Sequence, residues 1–125
     1  MLRIIDASVL LGIARGHVEV VHRLMLTRKS QVRLPEPVFV YTGMEVRGLT
    51  QWEAVERWNR VVDIAPRLAW DAEVSEALLD LEPPTGLAVD LDTITAAFAV
   101  AHKATVFTRE PVRYSWVRRL RIEAI

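Results

Sequence analysis

Leu2-Arg3-Ile4-Ile5-Asp6-Ala7-Ser8 decides how the chain folds. A short apolar run, Leu2 to Ile5, stops at an aspartate, and a second apolar stretch, Val9 to Ala14, follows at once with helical character. An apolar run of this length, bounded by a polar residue, suits a buried parallel strand that feeds a helix. In open α/β sheets, ligands bind outside the carboxyl ends of the strands, and Asp6 falls at such an end with Ser8 close behind it. Asp6 therefore has two readings from the residues alone: a metal ligand at the rim, or the N-cap of the following helix, a position that favours Asp.

The rest of the chain is organised around that start. The 125 residues, 51% of them hydrophobic, suffice for one domain (residues 1–125) with a real core and exclude a disordered chain. Sixteen basic and sixteen acidic residues cancel, so no global field recruits nucleic acid, and any such binding needs a local patch or ion-bridged phosphates. The absence of cysteine excludes disulfides and thiolate zinc sites and is compatible with a cytoplasmic protein. No signal-peptide pattern is visible, and no apolar run approaches the ~20 residues of a membrane span.

Helical spacing marks His17 to Thr27, in which His17 and His22 stand on different faces and make a poor metal pair. Gln31 to Leu34 reads as a short strand. Pro37 then opens a helix, Val38 to Arg47, that carries Glu45 near its end and stops at Gly48. Thr50 and Glu53 have the spacing of a capping box for a helix from Gln51 to Val62, and Trp52 lies off that helix's apolar stripe. Val62 to Ile64 and Pro66 read as an extended link. Trp70 to Leu81 forms an amphipathic helix, and Pro83-Pro84-Thr85-Gly86 is a turn. Asp92 opens a helix from Thr93 to His102 that is apolar nearly all round, hence buried. Thr105-Val106-Phe107 is a further strand, ending in Thr108-Arg109-Glu110, and Arg121 to Ile125 alternates as an edge strand does.

Four acids thus stand at element ends: Asp6, Glu45, Asp92 and Glu110. Carboxylates from several elements suit hard divalent ions such as Mg²⁺ or Mn²⁺, which can activate water and stabilise both oxygens of a phosphodiester displacement. Crowded acids would otherwise raise one another's pKa. No glycine-rich phosphate loop, nucleophile elbow or paired helical histidines offer a competing chemistry. Asp90-Leu91-Asp92-Thr93 imitates the paired-aspartate nucleophile of haloacid-dehalogenase-like phosphatases, but too little chain follows to build their sheet. Asp90 is a rival for Asp92, which is preferred because it opens the helix at the positive end of its dipole.

These residues give the chain a resemblance to PIN-domain proteins, specifically the small VapC-type ribonuclease toxins. Four motifs carry it in order: Ile4-Ile5-Asp6-Ala7-Ser8; Pro37 through Glu45-Val46-Arg47-Gly48; Asp92-Thr93-Ile94-Thr95-Ala96-Ala97; and Thr105-Val106-Phe107-Thr108-Arg109-Glu110. The resemblance spans nearly the whole chain. It implies a PIN-like α/β/α sandwich with a central, mostly parallel sheet, and a Mg²⁺- or Mn²⁺-dependent hydrolase that cuts RNA. It also implies an antitoxin partner, a homodimer and no membrane association. Asp6, Glu45 and Asp92 would be metal-binding acids. Glu110 stands where Asp is more usual, its carboxylate carried outward by ~1.5 Å, so that a water would have to bridge it to a second ion. Ser8 and Thr108 would orient metal-bound water, and Arg109 would meet a substrate phosphate or form a surface ion pair. The arginines from Arg109 to Arg121 face RNA or pair with local acids. The alternative function is a PIN-fold binding module, weakly active or inactive, that works through protein or RNA contacts.

Overall fold

The computed structural model describes residues 1–86 and 88–125. Five strands, β1 (Arg3–Ile5), β2 (Val32–Pro35), β3 (Arg67–Leu68), β4 (Thr105–Thr108) and β5 (Arg121–Ala124), form one sheet in the order β3-β2-β1-β4-β5, and every pairing is parallel. Six helices connect and cover them: α1 (Ala7–Ala14), α2 (Val18–Met25), α3 (Glu36–Arg47), α4 (Trp52–Ile64), α5 (Ala72–Asp80) and α6 (Leu91–His102).

The strand pleat sorts side chains to two faces. Ile5 and Phe107 point into a core shared with Val9, Leu10 and Ile13 of α1 and with Val38, Val46 and Trp58 of α3 and α4. Ile4 and Val106 point the other way, onto Ala96–Ala99 of α6 and Val74 of α5. The result is an α/β/α sandwich. Helix α6, apolar nearly all round, is covered as its composition requires: Ala96, Ala97, Phe98 and Ala99 are each fully buried. The small alanine side chains let the helix lie close to the sheet. Between α3 and α4, Trp58 Nε1 donates to Thr42 Oγ1 at 2.9 Å, and its ring stacks on Phe39. Among the described residues no helix is long and apolar enough to cross a membrane.

Several boundaries differ from the sequence expectations. Helix α4 continues through Ile64, and the extended segment lies at Arg67–Leu68, where it pairs with Leu34 and Pro35 as β3. Two residues are too few to show a period-2 pattern. Gln51, not Thr50, caps α4, and no side-chain hydrogen bond closes a capping box there. Trp52 is exposed. Trp70 precedes α5, whose cap is Asp71, and its indole donates to Ser75 Oγ.

The edge strand β5 is tied to β1 and α2 by Glu123, which accepts from Arg3 Nε and Arg23 Nη2, each at 3.0 Å. Burial pushes its carboxyl up, but the hydrogen bonds from Arg23 and Arg3 outweigh burial and leave it below the ordinary 4.5. A carboxyl depressed in the folded state stabilises above its unfolded pKa and loses that contribution as pH falls through the folded one. Wild type should therefore be more stable to urea than Glu123→Gln at neutral pH, by under about 1 kcal/mol of unfolding free energy. The gap should close as pH drops below 4.5.

Candidate active site

The order β3-β2-β1-β4-β5 means the chain travels outward from β1 through β2 to β3, then returns across β1 to β4. Such a reversal opens a crevice between the carboxyl ends of the two central strands, here β1 and β4. Asp6 follows β1 directly, and its amide donates to Phe107 O at 3.2 Å, which locks the two strand ends together.

Asp6 is 1% exposed and fully engaged. Its Oδ1 accepts from Val9 N at 3.0 Å and Ser8 Oγ at 2.7 Å, and its Oδ2 accepts from Tyr114 Oη at 2.8 Å. The N-cap reading is thus realised by one oxygen, while the other is taken by the buried Tyr114 hydroxyl. Asp92 meets it there: Tyr114 Oη lies 3.1 Å from Asp92 Oδ1. Asp90 is the residue that caps α6, its Oδ1 accepting from Thr93 N and Thr93 Oγ1. Asp90, not Asp92, therefore opens the helix, while Asp92, two residues on, stays in its first turn at the positive end of the dipole and shares the Tyr114 hydroxyl with Asp6.

Glu110 and Glu45 stand differently. Glu110 Oε2 pairs with Arg113 Nε at 2.8 Å. Arg113 Nη1 also reaches Asp92 Oδ2 at 3.3 Å and Asp90 Oδ2 at 3.7 Å, so one guanidinium gathers three acids. Glu45 accepts from Tyr41 Oη at 3.0 Å and faces Arg15 at 3.8 Å. It makes no contact with the aspartates, although Tyr41 and Arg15 both line the crevice.

Ser8 and Thr108 hold backbone in place. Ser8 Oγ accepts from Arg109 N at 2.9 Å, and Thr108 Oγ1 accepts from Glu110 N at 2.9 Å. The two hydroxyls lie 3.4 Å apart. Arg109 crosses α1, where a side chain on Gly12 would come within 3.2 Å of it, and its guanidinium meets His17 Nδ1 and Glu19. The crevice, about 610 Å³ in volume, opens between α1, Tyr41, the start of α6 and the segment from Arg109 to Arg113.

Nothing in the sequence marks Tyr114, and Arg113 stands out there only as one of the arginines that face RNA or pair with local acids, of which the structure shows the acid pairing. Tyr114 ends a short 3₁₀ turn, Pro111–Tyr114, and is fully buried. Burial first, and then the charges of Asp6 and Asp92, push its hydroxyl far above the ordinary 10.0, so it remains a donor. One hydroxyl proton cannot serve two carboxylates at once. Burial pushes the Asp92 carboxyl up, with Asp6 and Asp90 adding to the effect against the Tyr114 hydrogen bond and Arg113.

A cation beside the two carboxylates would make good that shortage. Among the described residues no group of three or more His, Cys, Asp or Glu is arranged to hold an ion. The Asp6–Asp92 pair by itself fits: a buried and a part-exposed carboxylate that share one hydroxyl proton, with the oxygen donors that hard divalent ions take.

No family model matches the sequence, and no curated protein matches it. Solved structures do resemble it. VapBC2 from Rickettsia felis, bound to a DNA fragment from its promoter, aligns with a TM-score of 0.84 at 14% identity over 99% of this chain and 98% of that one. A DNA-bound VapBC from Salmonella typhimurium gives 0.78 at 16% identity over 99% and 98%, and a toxin-antitoxin complex from Klebsiella pneumoniae gives 0.75 at 15% over 94% of each. At these identities the likeness establishes the fold: a central parallel five-stranded sheet between helices, the PIN-like α/β/α sandwich.

Proposed function

We propose that the chain is the toxin of a type II toxin–antitoxin pair, a Mg²⁺- or Mn²⁺-dependent endoribonuclease that acts in the cytoplasm. The observation that carries this reading is the meeting of Asp6 and Asp92 around one shared hydroxyl, at the reversal point of a sheet shared with toxin-antitoxin proteins. RNA as substrate, an antitoxin as partner and a homodimer as the assembled form follow from the motif resemblance.

Asp6 and Asp92 would hold the ion. When bound, it supplies a Lewis acid and lowers the pKa of water enough for attack on phosphorus at neutral pH. The chain's own residues do the rest. Ser8 and Val9 fix the Asp6 carboxylate against rotation. Arg15 and Arg109 line the crevice and can meet phosphate oxygens with charge-assisted hydrogen bonds. Ser8 and Thr108 keep the two strand ends in register, so the acids stay opposed. Glu110, tied to Arg113, and Glu45, tied to Tyr41, stand in support rather than at the centre.

A second reading is favoured by Arg113, which already neutralises part of the cluster: a binding module with little or no cleavage. Expression in cells that lack the neighbouring gene's product separates the two. Wild type should arrest growth and Asp6→Asn should not, with both proteins soluble and folded. Equal toxicity of the two proteins, or a harmless wild type that cuts no RNA with Mn²⁺, would favour the binding module.

A further inference from the structure

We propose that Arg113 is an internal counter-cation of the acidic crevice, so that guanidinium and divalent ion compete for the same carboxylates. The inference rests on the metal reading above and adds what sets the ion's affinity. Arg113 contacts Glu110 at 2.8 Å, Asp92 at 3.3 Å and Asp90 at 3.7 Å. Its hydrogens take the Asp92 Oδ2 lone pair, and its charge lies where a second cation would be repelled. Arginine cannot escape that competition by losing its proton. The charges of Glu110 and Asp92 push its pKa still higher.

The position is poorly explained as a stabilising ion pair. The Arg113 side chain is 55% exposed and lies at the end of the 3₁₀ turn, where surface pairs contribute little to stability. Each of the other ion pairs among the described residues joins one arginine to one acid, apart from Arg3 and Arg23, which share Glu123. Arg113 alone among them gathers three acids, and two of these, Asp92 and Glu110, are residues the sequence marks for the metal. Its neighbour Tyr114 bridges Asp6 and Asp92 from the buried side. Arg113 and Tyr114 are consecutive, so one short turn supplies both a positive charge and a hydrogen-bond donor to the cluster.

Mn²⁺ binding measured directly by electron paramagnetic resonance, with the metal alone and no RNA, tests the competition. Arg113→Gln, which keeps a polar side chain without charge, should bind Mn²⁺ about tenfold tighter than wild type. Arg113→Lys keeps the charge and should stay within about threefold of wild type. Adding Asp92→Asn to Arg113→Gln should remove the gain, which locates it in this crevice. The proposal is overturned if Arg113→Gln binds no tighter than wild type, or if Arg113→Lys tightens as much as Arg113→Gln. Should wild type bind and Arg113→Gln match it, with Asp92→Asn abolishing both, the metal reading stands and the competition does not. Absence of Mn²⁺ binding in every version overturns both.

Discussion

Asp92→Asn is expected to lower Mn²⁺-dependent RNA cleavage by at least ~10²-fold while leaving the protein folded, the scale seen when one pre-organised electrostatic group is removed. Asparagine keeps an oxygen that can accept from Tyr114 Oη, so the crevice retains its shape. What it loses is the negative charge that a divalent ion needs beside Asp6. The same change removes one of two carboxylates crowded around a single donor, so the unliganded protein should melt at the wild-type temperature or above. Activity and stability then move in opposite directions, a trade common at functional sites. Cleavage of a labelled RNA, run beside a thermal melt of the same preparation, checks both halves. A variant that cuts as fast as wild type would remove Asp92 from the mechanism, and one that unfolds would show its role to be structural.

Tyr114→Phe should have the second-largest effect. The ring remains to fill its buried place, but Asp6 Oδ2 and Asp92 Oδ1 lose their shared donor. A buried acceptor left without a partner costs about 1–3 kcal/mol, and the loss should show as a lower urea midpoint in metal-free buffer. Because the hydroxyl and an ion would compete for the same two oxygens, saturating Mn²⁺ should raise the midpoint of the variant by more than it raises wild type. Ligand linkage makes that difference a measure of relative affinity. Equal stability of variant and wild type without metal would mean that the hydroxyl contributes nothing to holding the pair.

Legibility in the sequence followed the length of each signal. β1, α6 and β4 were plain, because an apolar run ending in an acid, or an alanine-rich helix, has few other uses. The capping role of Asp6 was visible and one carboxylate oxygen fills it; the other goes to Tyr114, a partner the sequence did not suggest. Asp90 and Asp92 could not be ordered from the chain alone: both precede helical residues, and the choice turns on Asp90 reaching Thr93 N and Thr93 Oγ1. Glu45 illustrates a different limit. Val38, Thr42 and Val46 form the buried stripe of α3, and Glu45 falls off it, toward Tyr41 and Arg15. Motif spacing puts it near the other acids; the helix period decides how near. Tyr114 left no signal and Arg113 showed only as one of a run of arginines, because Asp6 and Asp92 lie far back in the chain and meet them only once the sheet has closed.

Anomalous diffraction from crystals saturated with Mn²⁺ tests the central claim most directly. A single strong peak is expected between the carboxylates of Asp6 and Asp92, within coordination distance of an oxygen of each, with Arg113 displaced from Asp92. No peak there, with the Asp6–Tyr114–Asp92 hydrogen bonds intact at saturating metal, would contradict it.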